Sequence, residues 1–128
     1  MSYYIAKTLA LPFDEVVTRV TEALKTEGFG ILTEIDVSAT LKKKIGVDCP
    51  AYRILGACNP ALAHEALQLE NKVGTMLPCN VVVRDAGNGQ IEVAAVDPVA
   101  SMQAIDNSAL KQAASVVRAK LEKVIAGL

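Results

Sequence analysis

Apolar residues recur along this chain with two periods, and the change from one to the other marks its elements. Phe13, Val16, Val17, Val20 and Leu24 fall at helical spacing and form one stripe. Phe29, Ile31, Thr33 and Ile35 alternate with Gly30, Leu32, Glu34 and Asp36, which is the period of a strand. Read this way, the chain predicts strands over residues 3–9, 29–36, 52–57, 81–83 and 91–96. It predicts helices over 12–28, 37–45 and 60–70, with a further turn near 99–103. A long last helix carries the stripe Leu110, Ala113, Ala114, Val117, Leu121, Val124, Ile125 and Leu128.

The punctuation agrees with the periods. Pro12 opens the first helix where a missing N–H costs nothing, and Asp14 and Glu15 complement the positive end of its dipole. Gly28 ends it. Asp36 is a plausible N-cap for the second helix, and Gly46 stops that helix. Asn59-Pro60 pairs a favoured cap with a favoured first helical residue. Asn88-Gly89, within Ala86-Gly87-Asn88-Gly89, is the signature of a type I′ hairpin turn. Asp97-Pro98 closes the last strand, and Asn107 or Ser108 caps the final helix.

These elements imply one α+β domain over residues 1–128. Its expected architecture is two-layered: a largely antiparallel sheet of about five strands, with helices packed mainly on one face. Alternation then sorts strand residues by side. The expected helix-facing set is Ile31, Ile35, Ile54, Val81, Val83, Ile91 and Val93. The opposite face should hold Leu32, Glu34, Arg53, Leu55, Ala57, Val82, Arg84, Glu92, Ala94 and Val96. That face is oilier than contact with water requires, and three uses stand open for it. It pairs with a second copy, lines a ligand site, or is solvated with cross-strand ion pairs such as Glu34 with an arginine.

Composition narrows the function classes. With 13 basic and 14 acidic residues the net charge is −1, so there is no basic footprint for nucleic acid. Aromatic residues make up 4% and Trp is absent, leaving few platforms for stacked bases. No apolar run approaches the roughly 18 residues of a membrane span, and residues 1–7 lack the pattern of a secretory signal. The expected partners therefore exclude nucleic acid and membrane. The three cysteines, Cys49, Cys58 and Cys79, are an odd and sparse set, which fits a reducing cytoplasm.

Candidate chemistry is thin. Cys58 ends a strand just before the Asn59 cap, where a helix N-terminus can activate a thiol. Cys79 begins a strand. Each shares the phase of apolar neighbours, Cys58 with Ile54 and Cys79 with Val81 and Val83, as buried and inert cysteines do. Cys49 precedes Pro50 in a loop. No CxxC spacing is present, so neither a zinc motif nor a thioredoxin-like motif is signalled. His64 is the only histidine, and it falls opposite the Leu62, Ala66 and Leu69 stripe of its helix, on the surface side. Lys42-Lys43-Lys44 ends a short helix, where cations complement the dipole. The glycines form no phosphate loop, and no nucleophile elbow is present.

Phe29-Gly30-Ile31-Leu32-Thr33-Glu34-Ile35-Asp36 with Thr40-Leu41-Lys42-Lys43-Lys44 resembles a prokaryotic family, domain of unknown function 302. The resemblance continues through Tyr52-Arg53-Ile54-Leu55-Gly56-Ala57-Cys58-Asn59-Pro60, Leu77-Pro78-Cys79-Asn80-Val81-Val82-Val83 and Asp97-Pro98. It implies a compact α+β domain, often dimeric, in a family without an established activity. Haem or other ligand binding, suggested for some relatives, would need a ligand residue here from His64, the cysteines or the methionines. The cofactor is unknown. Cys58, Asn59, Cys79 and Asn80 match the family's wording and are candidate ligand-binding residues, together with Arg53 and His64. The leading reading is a non-catalytic binding or interaction module acting as a homodimer, with a possible small-molecule ligand. Two alternatives stand beside it. One is a thiol-dependent redox or sulfur-handling protein using Cys58 or Cys79. The other is a haem or metal binder through His64.

Overall fold

A computed structural model describes residues 2–128. The strands are β1 (Tyr4–Leu9), β2 (Gly30–Asp36), β3 (Tyr52–Cys58), β4 (Cys79–Gly87) and β5 (Gln90–Val96). The helices are α1 (Phe13–Thr26), α2 (Val37–Ile45), α3 (Pro60–Leu69), α4 (Pro98–Ser101) and α5 (Ser108–Ala126). A 3-10 turn over Val73–Met76 follows α3 and was not legible in the sequence. The strands form one five-stranded sheet in the order β1-β5-β4-β3-β2. Every neighbouring pair is antiparallel. The fold class is α+β, as the sequence predicted.

Local chemistry fixes the element ends. α1 closes in a Schellman motif, in which the Phe29 N–H donates to Leu24 O at 2.9 Å and the Gly28 N–H donates to Lys25 O at 3.0 Å. Gly28 supplies the left-handed step with φ of 84°. Asn88 and Gly89 turn the β4–β5 hairpin with φ of 57° and 74°, the two positive values that a type I′ turn demands. Asp36, Asn59, Asp97 and Asn107 each cap a helix by accepting from backbone N–H groups.

The main core lies between one sheet face and two helices. Val16, Val20 and Leu24 of α1 and Leu121, Val124 and Ile125 of α5 pack with Leu55, Ala57, Val81, Val83, Ile91, Val93 and Ala95. A second cluster, of Ala66, Val73, Met102, Leu110 and Ala114, joins α3, the 3-10 turn, α4 and α5. Asp97 is the one buried charged residue among those described, at 4% exposure. It caps α4 and pairs with Arg118 at 3.1 Å.

The assignment of strand faces needs correction in β2 and β3. Leu55 lies opposite Val81 and Ala57 opposite Cys79, so both face the helices. Ile54, opposite Val82, is on the other side with its β2 partner Ile35. Arg53 also faces the helices, where its guanidinium lies 5.5 Å over the Phe13 ring. β3 carries apolar residues on both faces, Ile54 on one and Leu55 and Ala57 on the other, so alternation alone could not choose its phase. In β2 the register shifts between Ile31 and Thr33, and a bulge of this kind reverses the side reached by each later residue. Ile31 therefore packs on the core, Ile35 does not, and Glu34 joins Arg53 on the helix side. The expected ion pair of Glu34 with an arginine forms at 3.1 Å, but not on the open face.

Candidate functional site

The sheet face away from α1 and α5 carries a groove of about 350 Å³. Strand pairing builds it. Tyr4 lies opposite Val96, Tyr52 opposite Arg84, and Val82 between Ile54 and Ala94. Tyr3, Tyr4, Tyr52, Asn80, Val82, Arg84, Glu92, Ala94 and Val96 line the groove. The chain has three tyrosines, and all of them are there. Its two phenylalanines are on the other side, with Phe29 in the main core and Phe13 packed against it. Tyrosine offers a rigid apolar ring with a polar tip, suited to a surface that is wet when free and covered when bound. Arg84 and Glu92 are neighbours across the hairpin and pair at 2.7 Å. The groove therefore holds no uncompensated charge among these side chains.

A second, smaller cavity of about 40 Å³ lies where β3 ends and β4 begins, beneath α3, α4 and α5. Cys58, Asn59, Cys79 and Met102 are among its lining residues. It has room for an ion or a water and is far below the roughly 300 Å³ of an organic ligand site. Asn59 is fully engaged there. Its Oδ1 accepts from the Leu62 N–H at 3.3 Å, capping α3, and its Nδ2 donates to the Glu27 carbonyl at 3.4 Å. Gly28 makes room for this contact, since a Cβ there would sit 2.8 Å from Asn59 Nδ2. Burial, helped by the charge of Cys58, pushes the Cys79 thiol up from 9.0 to about 11. Cys79 is therefore a protonated thiol at neutral pH. Cys58 is half-buried, and because Cys79 lies opposite Ala57, Cys58 falls in phase with Ile54 and Gly56, on the other side of the sheet from Cys79.

The sequence-derived candidates thus separate. Asn80 lines the groove; Cys58, Asn59 and Cys79 line the small cavity. Arg53 lies on the helix side, within 3.1 Å of Glu34, 3.9 Å of Asp14 and 4.0 Å of Asp36. His64 is exposed on α3 and lines neither site. Tyr3, Tyr4, Tyr52 and Met102 were not singled out from the sequence. The tyrosines converge only through non-local strand pairing, and a methionine gives no spacing signal. Among the described residues, no three or more His, Cys, Asp and Glu side chains cluster as a metal site. No helix there is long and apolar enough to cross a membrane.

The sequence pattern of the family described as Domain of unknown function DUF302 matches residues 5–128. The chain belongs to the DUF302 family. A solved structure, that of an uncharacterised conserved DUF302 protein from Bacillus stearothermophilus, is similar to it throughout. The two are 28% identical, superpose with a TM-score of 0.92, and align over 98% of each chain. No curated protein matches this DUF302 chain. Family membership carries no activity with it, so function has to come from the sites.

Proposed function

We propose that this DUF302 chain is a non-catalytic interaction module that acts as a homodimer through the open face of its sheet, in a reducing cytoplasm. The observation that carries the reading is the placement of all three tyrosines around one groove on that face. Around them the surface is small and apolar, with Ala6, Ile54, Val82, Ala94 and Val96 on the same side by register. Tyrosine-rich, charge-poor centres are typical of protein interfaces. Arg84 and Glu92 already neutralise each other within the chain, so burying this face against a second copy strands no lone charge. The area is of the right order. Five strands about 4.8 Å apart, sharing six or seven residues of about 3.3 Å each, present roughly 500 Å². Two such faces bury roughly 1,000 Å² before side-chain relief is counted, about the lower bound for a biological interface.

A groove of about 350 Å³ is also within the range of small-ligand sites, and this keeps a ligand reading beside the dimer. Sedimentation equilibrium across a range of protein concentrations separates them. A self-association curve that saturates at two chains supports the dimer. A chain that stays monomeric at every concentration removes the dimer and leaves the groove to a ligand.

A further inference from the structure

Sixteen residues line the small cavity at the ends of β3 and β4, and Asn59 is the only one with a nitrogen or oxygen in its side chain. That amide is occupied at both ends, by the Leu62 N–H and by the Glu27 carbonyl. Burial keeps the Cys79 thiol, also in the lining, protonated at neutral pH. Five of the sixteen are alanines: Ala57, Ala63, Ala66, Ala113 and Ala114. They explain the empty space, because small side chains of α3 meet small side chains of α5 there. Ties at both ends of α3 oppose its collapse into the gap. Asn59 tethers the start of the helix to Glu27, and Asn107 Nδ2 donates to the Leu69 carbonyl at its end, at 2.9 Å. Between those ties Ala66 is the one buried residue of α3.

We infer that this cavity is a binding site for an uncharged, apolar molecule of about two or three heavy atoms, of which dioxygen is the simplest example, enclosed by α3, α5 and the ends of β3 and β4. Three properties select that class. The first is charge: no lining side chain offers a free oxygen or nitrogen, the two cysteine side chains take opposite sides of the sheet, and a buried ion without partners is costly. The second is polarity. A buried water makes roughly two to four hydrogen bonds, and the lining side chains have none left to give it. The third is size, since about 40 Å³ is roughly three times the 10–15 Å³ that holds one water and far below the space a drug-sized ligand needs. Apolar cavities stay dry and take up guests such as xenon. The guest gains because the walls of an empty space lack contact partners on one side, and filling it restores their dispersion contacts. Binding is non-covalent, and no bond forms or breaks.

The probe is xenon, which is uncharged, apolar and inert. The full chain is titrated with xenon under pressure while its methyl groups are followed by carbon–proton NMR. The methyls of Ala66, Ala114 and Met102 line the cavity and should shift together along one saturable curve. Those of Ala61 and Val116, exposed on α3 and α5, should stay still. Ala66→Val fills the space and should weaken xenon binding by at least about tenfold, since the guest then has to overpack the site. Ala61→Val introduces the same branched side chain on the exposed side of α3 and should bind xenon as the parent does. Circular dichroism checks that each variant is folded, and Ala114→Val fills the cavity from α5 if Ala66→Val does not fold. A second measurement needs no variant: magnetisation transfer from bound water to the Ala66 and Ala114 methyls should be absent in the parent. Shifts that spread over the surface without saturating, full xenon affinity in the folded cavity-filled variant, or a long-lived water beside the Ala66 methyl overturns the assignment.

Discussion

Replacing Asn59 by alanine tests whether this residue acts as a structural clamp. Two interactions disappear in the variant. The cap on α3, from the Leu62 N–H at 3.3 Å, is worth about 0.5–2 kcal/mol. The tether to the Glu27 carbonyl, at 3.4 Å, is longer and belongs at the low end of the roughly 0.5–1.5 kcal/mol range for a hydrogen bond. Together they predict a loss of about 2 kcal/mol. For a chain of 128 residues the unfolding entropy is roughly 270 cal/mol/K, so the melting temperature should fall by about 7 °C. Asn59→Ser separates the two contributions. Serine can still cap the helix but is too short to reach Glu27, so it should lose only about 0.5–1 kcal/mol. Urea denaturation of the three proteins, monitored by far-ultraviolet circular dichroism, supplies the comparison. If Asn59→Ala is as stable as the parent, or Asn59→Ser is as weak as Asn59→Ala, the clamp is wrong and Asn59 is free to serve a ligand.

Three further outcomes follow from the structure. Cys79 is neutral in the folded chain up to about pH 11 but ionises near pH 9.0 once unfolded, so the folded state holds its proton more tightly between those values. Its contribution is therefore intact below pH 9.0 and is lost as pH rises toward about 11, by an amount on the order of 2–3 kcal/mol. Stability measured at pH 8 and pH 11 should fall less in Cys79→Ala than in the parent, and equal falls would contradict the burial of this thiol. Gly56→Ala would drive its new methyl into the Thr33 side chain and to 2.8 Å from Pro78 Cγ, so chemical denaturation should show a loss of about 1–3 kcal/mol. Leu55→Ala should cost about 2–5 kcal/mol from the core, while Ile35→Ala, at a site 47% exposed, should cost under about 1 kcal/mol; the reverse order would restore the strand phase first read from the sequence.

The legible parts of the fold were those decided by neighbours in sequence. Asn59-Pro60 and Asp36 place helix starts by satisfying N–H groups within three residues, and Asn88-Gly89 sets its hairpin by backbone angles alone. Alternation read correctly in β4 and β5, where Val81, Val83, Ile91 and Val93 make one face apolar and the other carries Asn80, Arg84 and Glu92. It failed in β3, because Ile54, Leu55 and Ala57 are all apolar and only pairing with β4 fixes their sides. It failed past Ile31 in β2 because one shift in register leaves no mark in composition. The same limit hid the site. Tyr4 and Tyr52 are far apart along the chain, and only the strand order brings both to one groove. Cys58 and Cys79 stood out as residue types, but only the packing of α4 and α5 brings Met102 to line the same cavity.

The most direct test of the open-face account is the native mass of Val82→Glu by light scattering, beside that of the parent. Val82 sits mid-sheet between Ile54 and Ala94, on the face away from α1 and α5, so a carboxylate there burdens association and leaves the core intact. The account predicts a parent of twice 13.5 kDa and a folded variant of 13.5 kDa. A folded variant that keeps the dimer mass, or a parent that is itself a monomer, would contradict it.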